Sequence, residues 1–194
     1  MKIGRSSGLN FHRRRRRIDP NARKKIAWWI LEIVIVVALA AVLVLCMGMR
    51  TTAVGNSMAS EIKDGDKVLI NRLIYQISSP KSGDVIVFYP NGNRKSRCYI
   101  KRVVGAPGDK VQIKDGAVYV NGDLFDVEDT KNIEFAGLAQ EEITVGEDEY
   151  FVLGDNRESS EDSRYANIGN VKKEDIVGKA WFVCAPLHSI GRIK

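Results

Sequence analysis

An uninterrupted apolar run of 23 residues, from Ile26 to Gly48, limits what this chain can fold into more than any other feature. Its one ionisable residue is Glu32. At ~1.5 Å per residue, a helix of this length can cross a hydrocarbon core of ~30 Å. Trp28 and Trp29 lie near the start of the run, where an aromatic belt at the membrane interface is expected. The run therefore predicts a transmembrane helix over residues 26–48.

Two other interpretations of the run are open at this point. A helix buried in a soluble core is disfavoured, because core helices of this length rarely lack a polar face. A cleaved signal peptide usually has a shorter apolar region of roughly 7–15 residues that ends in a small-x-small cleavage site. Here the run is longer and Arg50 follows Met49, which favours an uncleaved anchor.

The formal net charge of +6 comes from the segment that precedes the apolar run. Residues 1–25 contain ten basic residues and one acidic residue, whereas residues 50–194 contain 20 basic and 22 acidic residues. Segments rich in Lys and Arg stay on the cytoplasmic side of a membrane. We therefore expect a basic cytoplasmic tail over residues 1–25 and an extracytoplasmic domain over residues 50–194, in a protein that crosses the cell membrane once.

The arginine run Arg13–Arg17 raises the question of a nucleic-acid partner. The mildly acidic composition after the apolar run argues against one, and retention of the tail in the cytoplasm is the simpler explanation of its charge. The arginines can also contact anionic headgroups. The expected partner is therefore the lipid bilayer, and no nucleic acid is expected.

Cysteine and histidine residues are too few and too scattered to indicate a disulfide framework or a metal site. Cys46 lies inside the apolar run, and Cys98 and Cys184 can pair only if the fold brings them together. Free, buried thiols are the favoured interpretation. His12 and His188 are far apart in sequence, and no cofactor is expected.

Short segments rich in β-branched and aromatic residues predict a mostly β domain after the apolar run. The predicted strands are residues 67–75, 84–89, 99–104, 111–114, 117–120, 150–153 and 179–184. Asp115-Gly116 predicts a tight hairpin turn, and Asn121-Gly122 a second turn. Residues 172–176 are compatible with a helical turn, and the acidic residues 123–142 are interpreted as a surface excursion.

Three segments of this domain carry the side chains that chemistry requires: residues 54–58, 99–109 and 154–164. In the first, Gly55 precedes Ser57 by two positions, which leaves backbone N–H groups open. In the second, strand alternation directs either Lys101 or Arg102 to the less exposed face. The third has no apolar side chain and is dense in Asp, Asn, Ser and Arg. Taken singly, the first two segments are explained better as an ordinary turn and a solvated lysine, and the third is compatible with a solvated loop.

Together the segments resemble the motifs of type I signal peptidases, which are membrane-anchored serine proteases with a Ser–Lys dyad. Residues 99–109 match the family's Tyr-Ile-Lys-Arg-Val-[Val/Ile]-Gly-x-Pro-Gly-Asp, and residues 154–164 match Gly-Asp-Asn-x-x-x-Ser-x-Asp-Ser-Arg. Residues 65–69 and 83–88 are also similar to the family. The resemblance covers residues 25–185, and the single span with a short outer domain resembles the Gram-positive branch.

The resemblance implies a mostly β, extracytoplasmic catalytic domain that removes N-terminal signal peptides from secreted preproteins. Family substrates have small residues at positions −1 and −3 of the cleavage site. Ser57 is the implied nucleophile, and its attack on the scissile carbonyl forms an acyl-enzyme. Lys101 is the implied general base, and its amine must be neutral to accept a proton. To act near neutral pH, its pKa must fall by roughly 2–3 units from ~10.4, which burial can achieve.

The resemblance also implies supporting roles in the loop at residues 154–164. Ser160 is expected to hydrogen-bond the lysine amine. Asp162 and Arg164 are expected to form an ion pair that braces the loop, while Asp155 and Asn156 shape it.

The oxyanion is expected to be held by the backbone N–H of Ser57 and by a second donor. Some relatives use a serine hydroxyl two residues before the nucleophile. Gly55 occupies that position here, so its backbone N–H or a water is expected instead. The candidate walls of the substrate pocket are Ala53, Val54, Met58 and Ile100, with core residues as the less favoured interpretation.

One departure from the family pattern follows the nucleophile. The family usually has Ser-Met-x-Pro-Thr, whereas this chain has Ser-Met-Ala-Ser-Glu over residues 57–61. Three alternatives are weighed against the resemblance. A self-cleaving repressor of the SOS type shares the dyad but is soluble, and a signal peptidase of the endoplasmic reticulum has His in place of Lys101. An inactive, membrane-tethered binding module is disfavoured by the intact Ser57, Lys101 and Ser160.

Overall fold

The computed structural model describes residues 21–47, 49–125 and 133–194. The predicted basic tail therefore lies outside the described residues except for its last five. The chain divides into two compact units, residues 1–41 and residues 42–194. Each unit is described by itself.

Helix α1 spans Ala22–Met47 and contains almost the whole of the apolar run. Its stretch Ala22–Val42 has a mean hydropathy of 2.2, and none of it is buried. Trp28 and Trp29 are 71% and 67% exposed. A helix in a soluble core buries its apolar side chains, so that interpretation is wrong for this helix. Its length and composition are compatible with a membrane span, and a signal sequence would meet the same criteria.

The second unit is built from strands, as the sequence predicts. Within the described residues, one short helix, α2 (Ile74–Ile77), accompanies the strands. The strands are β1 (Met49–Thr52), β2 (Lys67–Asn71), β3 (Val85–Phe88), β4 (Tyr99–Gly105), β5 (Lys110–Lys114), β6 (Ala117–Val120), β7 (Asp123–Leu124), β8 (Ile143–Thr144), β9 (Glu149–Leu153), β10 (Val171–Lys172), β11 (Ile176–Ala185) and β12 (Gly191–Arg192).

The strands form two antiparallel sheets with different connectivity. The larger, curled sheet has the order β1-β2-β11-β3-β4-β9-β10, and β12 pairs with β11. Most strands that pair in this sheet are far apart in the sequence, so their register cannot be deduced from short turns. The smaller sheet has the order β7-β6-β5-β8 and grows from local hairpins. Asp115-Gly116 and Asn121-Gly122 close two of those hairpins with positive φ at all four residues, which confirms the predicted turns.

Strand β4 lies inside the larger sheet and places the first part of the segment at residues 99–109 in the core. It pairs with β3 on one side and β9 on the other. Six of its seven residues are buried, including both Lys101 and Arg102. The sequence predicted that one of these two bases faces a buried side; the structure buries both, because layers cover both faces of the sheet.

Two predicted elements differ from the structure. The strand expected over residues 67–75 ends at Asn71, whose side-chain oxygen accepts hydrogen bonds from the N–H groups of Leu73 at 3.1 Å and Ile74 at 3.2 Å. This local turn competes with the ladder and starts α2. The other predicted strands are present with ends shifted by up to three residues, and a 3-10 turn at Lys173–Asp175 occupies the expected helical turn.

The acidic excursion over residues 123–142 is also only partly at the surface. Residues 126–132 lie outside the described residues. Ile133 and Ala139 are buried in a core cluster with Val111 and Phe151. The backbone N–H of Leu138 donates to the carbonyl of Arg164 at 2.9 Å, so this segment packs against the polar loop at residues 154–164.

Candidate active site

Ser57 lies in a tight turn that follows β1. The turn is closed by the hydrogen bond from the N–H of Ala59 to the carbonyl of Asn56, at 3.1 Å. A second turn follows, in which the N–H of Ile62 donates to the carbonyl of Met58 at 2.6 Å, and Met58 is buried in the core. The carbonyl of Ser57 accepts the N–H of Asn156 at 3.0 Å, which ties the turn to the polar loop. Among the described residues, the N–H of Ser57 itself donates to no backbone carbonyl and no side chain. It is therefore open to a bound carbonyl oxygen.

Lys101 is held in β4 with only 3% of its surface exposed. Burial lowers the pKa of its amine to about 8, because the charged form loses its hydration. The carboxylates of Asp162, Glu161 and Asp155 oppose this shift, and Arg164 adds to it. The amine makes no hydrogen bond with another described residue. With this pKa, about a tenth of the amine is neutral at pH 7 and about half at pH 8.

Ser57 and Lys101 line the same cavity, which has a volume of about 350 Å³. All four candidate wall residues contribute to it, although Ala53, Met58 and Ile100 also belong to the core cluster behind it. Val54 is 61% exposed and stands at its mouth. Sequence reasoning missed further lining residues, which are Asn56, Ile62, Arg97, Cys98, Tyr99, Ser159 and Glu161. The hydroxyl of Ser57 and the amine of Lys101 are not hydrogen-bonded to each other here; catalytic contacts often close only when substrate binds.

The expected ion pair in the polar loop is present. The Nε of Arg164 donates to Asp162 Oδ1 at 2.8 Å and its Nη2 to Oδ2 at 3.0 Å, with both side chains almost fully buried. Arg164 also donates to the carbonyls of Arg157 and Ser160. The Ser160 hydroxyl donates to Asp162 Oδ2 at 2.6 Å rather than to the lysine amine. Because the hydroxyl hydrogen of Ser160 is used in the bond to Asp162, the Ser160 oxygen can interact with the lysine amine only as an acceptor.

A second buried ion pair links β4 to the same loop, and sequence reasoning missed it. Arg102 donates from Nε and Nη2 to the two oxygens of Asp155, at 2.8 and 2.7 Å. Its Nη1 donates to the carbonyls of Gly83 and Lys194. Lys101 and Arg102 are adjacent in β4 and point to opposite faces of the sheet. The same backbone therefore fixes Lys101 at the cavity and Arg102 against the polar loop.

Gly154 lets the polar loop approach the nucleophile turn closely. A Cβ atom at this position would lie 2.2 Å from Ser160 Oγ and 2.6 Å from the carbonyl oxygen of Ser57. No other residue type can occupy the position without displacing one of these two segments.

The expectation that Gly55 supplies the second oxyanion donor is not met by its N–H, which donates to Asp64 Oδ1 at 2.8 Å. The departure at residues 60–61 leaves the turn closed. Ser60 is exposed, and Glu61 accepts a hydrogen bond from the N–H of Lys194 at 3.2 Å.

Cys98 and Cys184 are both free and half-buried, as the sequence favoured. The described residues contain no cluster of His, Cys, Asp and Glu that could hold a metal ion. The polar side chains of the cavity are thus two hydroxyls, an amide, an amine, a thiol, a phenol and the exposed charged groups of Arg97 and Glu161.

A serine and a buried lysine in one cavity of a β-rich domain are typical of serine hydrolases that use lysine in place of histidine. A family model described as "Signal peptidase, peptidase S26" matches residues 26–185. The chain belongs to this family, as the sequence motifs predicted.

Relatives of known name support the same assignment. Signal peptidase I of Bacillus licheniformis is 31% identical over 178 residues, which cover 88% of this chain and 94% of the relative. Signal peptidase IB of Staphylococcus aureus strain COL is 34% identical over 82% of this chain and 90% of its own length. A crystal structure of a signal peptidase I from Enterococcus faecalis V583 is 33% identical, covers 56% of this chain and 99% of that chain, and has a TM-score of 0.42. The protein is thus an enzyme, a serine endopeptidase of the signal peptidase I type.

Proposed function

We propose that this enzyme removes N-terminal signal peptides from secreted preproteins, with Ser57 as the nucleophile and neutral Lys101 as the general base. The observation that carries the proposal is the pairing of a half-buried serine with a buried lysine of pKa about 8 in one cavity. A serine hydroxyl is a weak nucleophile until a neighbouring base takes its proton. Among the described residues that line the cavity, Lys101 is the buried group suited to that role.

The reaction is an acyl transfer. The Nζ atom of Lys101 accepts the proton of the Ser57 hydroxyl as Oγ attacks the scissile carbonyl carbon. The resulting ammonium then gives this proton to the leaving amine as the C–N bond breaks and an ester to Ser57 forms. A water next attacks the ester, with the same amine as its base. The signal peptide leaves with a free carboxylate, and the hydroxyl of Ser57 regains its proton.

The negative oxygen of the tetrahedral intermediate is stabilised by the N–H of Ser57, which has no acceptor among the described residues. Because the N–H of Gly55 is held by Asp64, we assign the second donor to a water. The turn is rigid, since the N–H of Asn156 donates to the carbonyl of Ser57 and the N–H of Ile62 donates to the carbonyl of Met58. Donors that are fixed before the reaction cost little reorganisation when charge develops.

The substrate is proposed to bind as an extended chain beside residues 53–55, which continue the edge strand β1. Edge strands accept such chains through backbone hydrogen bonds. The walls formed by Ala53, Met58 and Ile100 are apolar and close to Lys101, which suits small side chains at positions −1 and −3. The lipid bilayer is the second partner, through α1.

The test is cleavage of a full-length preprotein by the full-length chain in detergent or lipid vesicles. Ser57→Ala and Lys101→Ala are each expected to lower the rate of cleavage by at least roughly a thousandfold, as losses from other catalytic dyads and triads do. The matched controls are Ser60→Ala and Lys95→Ala, which alter exposed residues. Cleavage that is unchanged in either test variant overturns the proposal. A wild-type chain that binds the preprotein without cleaving it supports a membrane-tethered binding module instead.

A further inference from the structure

An aromatic ring lies beside the amine of Lys101. Tyr99 starts β4 and points to the same side as Lys101, two residues further on. The lysine Nζ lies 5.6 Å from the centre of the Tyr99 ring. Both side chains line the cavity that contains Ser57. The ring also makes an edge contact with Phe88, at 6.0 Å between ring centres, so its inner face is packed.

The outer end of this ring is held by a carboxylate that the family motif does not specify. The Tyr99 hydroxyl donates to Glu161 Oε2 at 3.1 Å. The second oxygen of Glu161 accepts a hydrogen bond from Asn167 Nδ2 at 2.6 Å. Asn167 is fixed in turn, because its carbonyl accepts the side chain of Asn91 at 2.8 Å. Burial and the bond to Glu161 raise the pKa of Tyr99, so its phenol stays protonated and continues to donate.

Glu161 also differs in charge balance from the other carboxylates that face Lys101. Asp162 is paired with Arg164 and Asp155 with Arg102, each through two hydrogen bonds. Glu161 forms no ion pair with any described residue. Its charge acts on Lys101 through space and favours the charged amine. Its charge is therefore the least compensated negative charge at the cavity.

We infer that Glu161 is a positioning residue that fixes Tyr99, and thereby the aromatic wall beside the Lys101 amine, in the orientation that the reaction needs. The inference rests on the proposed role of Lys101 as the general base. Without the bond to Glu161, the ring can rotate away from the amine and admit water to it. Its orientation then varies from one turnover to the next, and small displacements of catalytic groups lower the rate strongly.

The test compares Glu161→Gln, Glu161→Ala and Tyr99→Phe with the wild-type enzyme. Rates of preprotein cleavage are measured from pH 6 to pH 10, which gives kcat, KM and the midpoint of the rise with pH. The matched control is Glu142→Gln, which removes an exposed carboxylate far from the cavity. Thermal unfolding shows whether each variant is folded. Should Glu161→Ala be unstable, Tyr99→Phe still tests the contact, because it removes the hydroxyl and keeps the packed ring.

Glu161→Ala and Tyr99→Phe are each expected to lower the plateau kcat by roughly tenfold with little change in KM. The double variant should lose no more than either alone, because both remove the same contact. Glu161→Gln keeps an oxygen for the Tyr99 hydroxyl, and the Asn167 amide can turn its own oxygen toward the new NH2 group. This variant should therefore retain the plateau and shift only the midpoint, to lower pH, because it removes a carboxylate that favours the charged amine.

Three results would overturn the inference. The losses could be additive in the double variant, the plateau kcat of Glu161→Ala could lie within twofold of the wild type, or the change could be confined to KM. A change confined to KM would assign Glu161 to substrate contact instead. Failure of the proposed function looks different: Lys101→Ala would then retain cleavage, whatever the Glu161 variants do. If Lys101→Ala is inactive and the Glu161 variants match the wild type, the positioning role alone is rejected.

Discussion

At the scale of single residues, the proposed chemistry depends on one amine, that of Lys101, which burial makes less basic. Asp162 and Glu161 favour its charged form, and burial outweighs them, so the pKa of Lys101 falls to about 8. The rate of preprotein cleavage is therefore expected to be low at pH 6 and to rise through a midpoint near 8, as the amine loses its proton. A steady-state pH profile with the full-length enzyme measures this midpoint. A midpoint that stays near that of free lysine would contradict the assignment of Lys101 as the base.

The same burial has a cost in stability. An unfolded lysine has its ordinary pKa of 10.5, whereas in the folded protein it is about 8, so the unfolded chain binds the proton more tightly. The free energy of unfolding should therefore rise between pH 8 and pH 10.5. Lys101→Met removes this term and should be more stable by about 3 kcal/mol at pH 7, since one pKa unit corresponds to about 1.4 kcal/mol.

Denaturant unfolding of wild type and Lys101→Met, at pH 7 and above pH 10, measures that difference. The advantage of Lys101→Met should shrink at the higher pH, where both proteins carry a neutral side chain. An advantage that is independent of pH would indicate better packing by Met rather than relief of a buried charge.

Gly154 is the residue at which the smallest substitution should have the largest effect on the site. The added methyl group of Gly154→Ala would overlap Ser160 Oγ and the carbonyl of Ser57, so the nucleophile turn must move. We expect a loss of activity of roughly a hundredfold or more. Cleavage kinetics measure it, with Gly191→Ala as control, because a Cβ there meets nothing closer than 4.0 Å. Near-normal activity of Gly154→Ala would show that the close approach is dispensable.

At the scale of elements, β4 and the polar loop at residues 154–164 are joined by buried charges. Asp155→Asn leaves the Arg102 guanidinium buried without its counter-charge. We expect it to lower the free energy of unfolding by about 3–5 kcal/mol. The control, Glu142→Gln, removes the charge from an exposed pair with Lys110 and should change the free energy of unfolding far less, because solvent screens that pair. Urea unfolding compares the two. Equal effects would mean that the buried pair does not hold the loop to the strand.

The sequence predicts elements well where their causes are local. The hairpins at Asp115-Gly116 and Asn121-Gly122 follow from turn chemistry, and β4 follows from its β-branched residues. The order of the larger sheet pairs strands that are distant in sequence, such as β2 with β11, and the pairing of Arg102 with Asp155 joins residues 53 positions apart. No local pattern encodes either. The strand end at Asn71 was missed because one side chain competes with the ladder. Likewise, the family motif includes Tyr99, whereas its contact with Glu161 depends on the tertiary fold.

At the scale of the whole molecule, positive and negative charges are distributed unevenly along the sequence. The excess of basic residues lies in residues 1–25, whereas residues 50–194 are slightly acidic overall despite their buried arginines. Two of the buried arginines, Arg102 and Arg164, are paired with carboxylates of the polar loop, and burial lowers the pKa of Lys101, the proposed base. The formal charge of +6 therefore reflects the tail, and it bears on the orientation of the protein in the membrane rather than on the chemistry of the site.

The predicted orientation can be tested on cells that express the chain with a different tag at each end. In protoplasts, added protease should remove the C-terminal tag, because residues 50–194 are proposed to face outward, and should spare the N-terminal tag until the membrane is lysed. Inside-out vesicles should give the reverse pattern, and a cytosolic protein controls for leakage. A C-terminal tag that is protected in protoplasts would contradict the orientation. Mature protein that lacks the N-terminal tag before any protease is added would show instead that α1 is a cleaved signal sequence.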